Sequence, residues 1–214
     1  MEENNNTLSV RRVFIYTAGI LFVSLGIVLC KKCGMGISPV SSIPLVLSEL
    51  TPLTFGSLTA CFHFMNTAFQ MLLSKKMLDL KLWMQVPLAF VFGVVIDWLN
   101  GLVFIDEQLS ARILSLLFSI FFTALGMVCM LDMNLIQNPP DGTVKQISVL
   151  SGWELGAVKT AYDGFCVLVS VVLGLLFLHA VRGFGIATIV SAVFVGKSIS
   201  WLRAGAAKCK VWRG

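Results

Sequence analysis

Charge is scarce in this sequence. Lys, Arg, Asp and Glu make up 13% of its 214 residues, where a soluble domain carries about 25%. So few charges cannot clothe the outside of a chain of this length folding in water. Apolar residues reach 57% and the mean hydropathy is +0.89, so lipid is the solvent of the outer faces. Catalytic signatures are missing as well: no Walker A loop, G-x-S-x-G, H-E-x-x-H or dinucleotide fingerprint occurs. An enzyme is not expected, nor is a cofactor. The pI of about 9.0 belongs to loops and ends, with no soluble basic domain to hold nucleic acid. Six cysteines sit mostly in apolar runs, where a thiol packs well and no disulfide framework is implied. Cys30-Lys31-Lys32-Cys33 has C-x-x-C spacing but lacks a second ligand pair for zinc and ends a helix, so a packing role and no metal are expected.

What is present in quantity is apolar sequence. A span needs about 20 mostly apolar residues, and six stretches qualify: about 13–30, 55–74, 82–104, 110–131, 155–179 and 184–203. Backbone polar groups in hydrocarbon must be paired inside the segment, and runs this long exceed barrel strands, so the fold class is all-α. The polar beginning ends in Arg11-Arg12, and the next run has no small-residue cleavage site, which reads as a retained first span. Loop cations set the orientation. A cytoplasmic N-terminus also places Lys75, Lys76, Lys81, Arg203, Lys208, Lys210 and Arg213 inside and Asp106 and Glu107 outside, with Lys31, Lys32 and Arg182 as exceptions. Both termini are then cytoplasmic.

Two further segments, 33–50 and 133–150, are too polar or too Pro/Gly-interrupted to cross comfortably and too apolar for ordinary loops. They read as re-entrant or broken helices. A shift of 100 positions aligns the halves: Arg12 with Arg112, Leu25-Gly26 with Leu125-Gly126, Pro39 with Pro139, Ser48 with Ser148 and Gly56 with Gly156. After three inserted residues, Ala89–Gly93 matches Ala192–Gly196 and Trp98-Leu99 matches Trp201-Leu202. Gly, Pro and Trp matches in order indicate duplication. Three spans per half is odd, so the halves are expected to be inverted about an axis in the membrane plane, with the broken segments at equivalent places. If those segments crossed, eight spans and parallel repeats would result, and Lys75, Lys76 and Lys81 would face outward. The expected division is a cytoplasmic segment 1–12, a first repeat 13–104, a second repeat 105–204 and a basic tail 205–214.

Polar residues within the spans mark the candidate site. Asp163 stands inside the fifth span, where a charge costs roughly 2.5–3.5 kcal/mol, with Lys159 one turn earlier on the same face. The pair either locks helix packing or serves a substrate or proton site. His63 is the residue the shift maps onto Asp163, with Asn66 and Gln70 following at i+3 and i+7. That stripe carries a coupling proton or bonds helices together. In 138–142 (NPPDG), Asp141 reads as a helix N-cap, or the helix start with Lys145 faces an anionic group. Lys197 in the last span snorkels or joins the site, above a Thr188, Ser191 and Ser198 stripe. Asp97 and Asn100 fall near the outer end of the third span, where they sit at the interface or line an outer vestibule.

Gly26, Gly34 to Pro39, the NPPDG stretch, Lys159 with Asp163, and Gly185 to Thr188 leading to Gly196 together resemble the bacterial YczE/YyaS/YitT group of integral membrane proteins. The resemblance covers nearly the whole chain. Where similar proteins carry glycine-threonine before the last span, this chain has Ala187-Thr188. The resemblance implies a bacterial plasma membrane protein and names no substrate. The expected function is a small transporter moving a polar or anionic solute through a central site between inverted repeats, with proton coupling as one option. Asp163, Lys159, His63, Asn66, Asp141, Lys145 and Lys197 are its site residues. The alternatives are a substrate-capturing membrane subunit similar to vitamin-importer components and a non-transport accessory or scaffold protein. Expected partners are the bilayer and a small solute, and a homodimer is compatible with this reading.

Overall fold

A computed structural model describes residues 10–75 and 79–208. The sequence expectations for residues 1–9, Lys76, Lys210 and Arg213 lie outside the described residues. The chain forms α1 (Val10–Lys32), α2 (Pro39–Leu50), α3 (Phe55–Ser74), a turn of helix α4 (Leu80–Trp83), α5 (Gln85–Leu102), α6 (Leu109–Met133), α7 (Pro139–Ser151), α8 (Leu155–Leu173) continued by a π-turn at Gly174–Leu178, and α9 (Ile186–Lys208). The described residues contain no strand. Five helices are long and apolar enough to cross a membrane: α1, α4 with α5, α6, α8 with its π-turn, and α9. The remaining long helix, α3, has 20 residues, enough for about 30 Å. It falls outside the apolar set because His63, Asn66 and Gln70 interrupt its hydropathy.

The two broken segments become short helices, each opened by proline. Pro39 follows Ser38 at the start of α2, and Pro139-Pro140 follow Asn138 at the start of α7. A proline at the first helical position loses no bond and pre-sets the backbone. Their 12 and 13 residues rise about 18–20 Å, against a hydrocarbon core of about 30 Å. Neither helix is long enough by itself to cross.

Helix α1 packs on α6, and the contact is reciprocal. Arg12 at the start of α1 donates to the Met133 carbonyl at the end of α6 (2.6 Å), while Arg112 at the start of α6 donates to the Cys33 and Gly34 carbonyls (2.6 and 2.9 Å). The two helices are therefore antiparallel. A β-carbon on Gly26 would press on Thr123 and on the Ser119 carbonyl (2.8 Å), and one on Gly126 on the Gly19 carbonyl (2.5 Å) and the Val23 nitrogen (2.6 Å). Small residues allow backbones this close, which is how helices associate when lipid removes the hydrophobic drive. Around this pair, α5 lies against α1 and α3, α9 against α6, α2 against α3 and α8, and α7 against α3 and α8. The loop after α1 reaches the start of α9. Gly36, at φ 109°, abuts Gly185, and the Ala187 N–H donates to the Met35 carbonyl (2.9 Å).

Candidate functional site

Thr54 caps α3 by accepting the Ser57 N–H (3.1 Å). From there His63, Asn66, Thr67 and Gln70 share one helical face, and all four are buried. Buried polar groups need partners, and theirs come from α5, α7 and α8. Gln70 Nε2 donates to the Pro139 carbonyl (2.9 Å) and to Gln85 Oε1 (3.0 Å), and Gln85 Nε2 donates back to Gln70 Oε1 (3.3 Å). Thr67 donates to Gln85 Oε1 (3.1 Å). Gly142 is what lets α7 sit so close, since a β-carbon there would run into the Gln70 amide. Tyr162 of α8 donates to Asn66 Oδ1 (2.6 Å), and Thr143 of α7 donates to the Asn66 carbonyl (3.3 Å). Asn66 thus ties α3 to both α7 and α8.

The ionic part lies between α7 and α8. Lys159 Nζ is 3.0 Å from Asp163 Oδ1 and 3.7 Å from Asp141 Oδ1, so one ammonium serves two carboxyl groups, and with both ionised the group carries one negative charge in excess. The pairing of Lys159 with Asp163 follows the i,i+4 expectation. The N-cap expectation for Asp141 is corrected: Asn138 is the residue before α7, and Asp141 sits within the first turn. Asn138 Nδ2 donates to Asp141 Oδ2 (2.9 Å), holding the carboxylate near the positive end of the helix. The two prolines cause this displacement by taking the first two helical positions themselves.

His63 turns its ring edge-on to Phe92 of α5, with centroids 5.4 Å apart. Its Nδ1 is buried and has no hydrogen-bond partner among the described residues. His63 stands one turn before Asn66 on the buried face of α3, the helix against which α7 packs. The site therefore joins Asp141, Lys159, Asp163, Asn66 and His63. Lys145 is exposed on α7 one turn beyond Asp141. Lys197 is exposed on α9, its ammonium 5.8 Å from the Phe194 ring centre. Neither enters the cluster. Thr188 is occupied in closing the first turn of α9, accepting the Gly185 N–H (3.1 Å) and donating to the Gly183 carbonyl (3.2 Å). Asp97 likewise has a structural task, accepting from Thr54 and from the Gly56 N–H (2.8 Å) at the start of α3. It clamps α5 to α3.

Sequence reasoning missed Tyr162, Gln85, Thr67 and Thr143 as members of the network. Tyr162 carried a usable signal: it is one of two tyrosines in the chain, next to Asp163 within a span, where a phenol requires an acceptor. Tyr162→Phe is expected to lower stability by about 1 kcal/mol, read as an earlier melting transition in detergent, because the buried Asn66 oxygen loses its donor.

Residues 10–204 match the model of a family described as a family of unknown function (DUF6198), and the chain belongs to that family. No curated protein and no solved structure matches it.

Proposed function

We propose that this member of a family of unknown function is a small membrane transporter that carries a polar solute through the cluster on α3, α7 and α8. The observation that carries the reading is the Asp141, Lys159 and Asp163 group, set at the start of a half-length helix that packs on α3, where His63 is buried with no hydrogen-bond partner for its Nδ1 among the described residues. Ionisable groups within a membrane are expensive and mark solute or proton paths, and interrupted helices at membrane depth line the sites of many transporters. The excess carboxylate favours a cationic or neutral solute, or a coupling proton, over an anion. Lys145 and Lys197, which would have served an anion, face elsewhere.

The same reading takes α3 as a sixth crossing, its polar face turned toward protein, with α2 and α7 re-entrant. The halves are inverted repeats in a bacterial plasma membrane, and the termini are cytoplasmic by the loop cations. Support comes from the reciprocal arginines on α1 and α6, since Arg12 and Arg112 are matched by the 100-residue shift and so are Cys33 and Met133. Kinship with the YczE/YyaS/YitT group fits this arrangement.

The test is flux of cationic, neutral and anionic polar solutes in vesicles reconstituted with the purified protein. Asp163→Asn and His63→Ala are each expected to lower flux about tenfold or more, a change of about 1.4 kcal/mol. Unchanged flux in both removes the cluster from the mechanism. A second reading, a non-transport scaffold, is favoured by the extent to which these groups already pair with one another. It predicts that the same variants shift melting and that no solute moves or binds.

A further inference from the structure

We infer that α8 and α9 close on each other through Gly156 and Gly196 in a second conformation, as α3 and α5 meet through Gly56 and Gly93 in this one. The inference rests on the reading of the chain as two inverted halves. Most packings on one side of the molecule have their counterpart on the other: α2 on α8 and α7 on α3, α2 with α3 and α7 with α8, α1 with α5 and α6 with α9. The close packing of α3 on α5 has none, because α8 and α9 do not pack comparably among the described residues.

Both glycines of the first contact are present in the second half and face open space, with Thr160 standing where the first half has Ala60. A β-carbon on Gly93 would lie 2.8 Å from the Gly56 carbonyl oxygen and 2.9 Å from Ala60 Cβ, and one on Gly56 would strike the Gly93 carbonyl. A β-carbon on Gly156 would meet only the nearby Glu154 carboxylate, 3.9 Å away, and one on Gly196 nothing within 4 Å. Ala192, matched to the buried Ala89, is exposed. The glycines that match those seating α5 on α3 therefore stand apart on α8 and α9, with the Thr160 hydroxyl bonded back to the Gly156 carbonyl (3.0 Å).

The chain also explains which half is held shut. Asp97 of α5 accepts the Gly56 N–H and the Thr54 hydroxyl, a charged clamp. Ser200 occupies the matching place on α9 and its hydroxyl donates within its own helix, to the Gly196 carbonyl (3.2 Å). The second contact lacks the clamp, so it opens and closes more readily. Helix α8 bears Lys159, Tyr162 and Asp163, so seating α9 on it would reshape one approach to the cluster while release of α5 from α3 would reshape the opposite one. Rocking of one repeat against the other about a central site is how inverted halves expose it alternately.

Paired cysteines test the closure. Gly156→Cys with Gly196→Cys, in a chain carrying Cys61→Ser and Cys209→Ser, is reconstituted in lipid vesicles, oxidised with copper phenanthroline and digested for mass spectrometry. A disulfide needs Cα atoms within about 7 Å, so a linked peptide joining α8 to α9 of one chain forms only on closure. Gly156→Cys with Phe194→Cys, whose side chain lines the groove against α6, is expected to give none. The inference is overturned if a variant with the parent's elution and melting behaviour yields no linked peptide. It is equally overturned if mixed isotope-labelled chains show the link only between two copies, which would assign this face to a dimer. A link within one chain without solute flux keeps the closure and removes the transport reading.

Discussion

Lys159→Met is expected to cost about 3 kcal/mol of stability, and adding Asp141→Asn and Asp163→Asn is expected to recover most of it. Removing one member of a buried ion pair strands the other charge, at about 3–5 kcal/mol, whereas replacing the whole group by neutral residues is often neutral or stabilising. Here two carboxylates would be left facing each other without their shared ammonium. The low end of the range applies because 38% of the Lys159 side chain remains exposed, against 24% for Asp141 and 16% for Asp163. The measurement is the melting temperature of the purified variants in one detergent, with size exclusion to show that each remains dispersed. Recovery in the triple variant would show that the charges are dispensable for the fold. Their retention would then need a functional reason, and the triple variant, folded but without charge at the site, becomes the most informative protein for the flux assay. If the triple variant melts as low as Lys159→Met, the ionic group is part of what builds the α7–α8 contact, and the scaffold reading gains.

How far the sequence carried this picture depended on the kind of signal. The long apolar runs located α1, α5, α6, α8 and α9 to within a few residues, because a helix in lipid must keep its apolar surface continuous for the whole crossing, and the run at 55–74 located α3 despite the polar residues that interrupt it. Proline and glycine located the interruptions, and the starts of α2 and α7 fall on Pro39 and Pro139. Side-chain direction was less accessible. Lys145 and Asp141 are four residues apart and share a face of α7, yet Asp141 meets Lys159 of another helix while Lys145 is exposed, because the first turn of α7 is the part seated against α3. That seat is made by Gly142 against Gln70 and by the Gln70 bond to Pro139, contacts between residues far apart in the chain. Gln85 looked like an ordinary polar residue at the mouth of a span, and nothing nearby in sequence announced Thr67 and Gln70 as its partners. The π-turn at Gly174–Leu178 was also invisible. It adds a residue to one helical turn, and a run of Gly, Leu and Phe is equally suited to an uninterrupted helix.

Matched glycine substitutions should separate the two halves more sharply than any other change. Gly56→Ala is expected to cost about 3 kcal/mol, the upper end of ordinary overpacking, because the new carbon meets the Gly93 carbonyl and backbone cannot rotate aside as a side chain can. Gly93→Ala should behave alike, pressing on the Gly56 carbonyl and on Ala60. Gly196→Ala, the same chemical change at the position the repeat matches to Gly93, has nothing within 4 Å to strike. It should leave stability unchanged or raise it by up to about 1 kcal/mol through helix propensity. Melting curves of the three variants beside the parent decide the point. Equal losses at Gly93 and Gly196 would mean that α9 rests on α8 for most of the time. A stable Gly196→Ala that nonetheless slows flux would place the need for that glycine in the closed state alone, since the added methyl group has room in the open one.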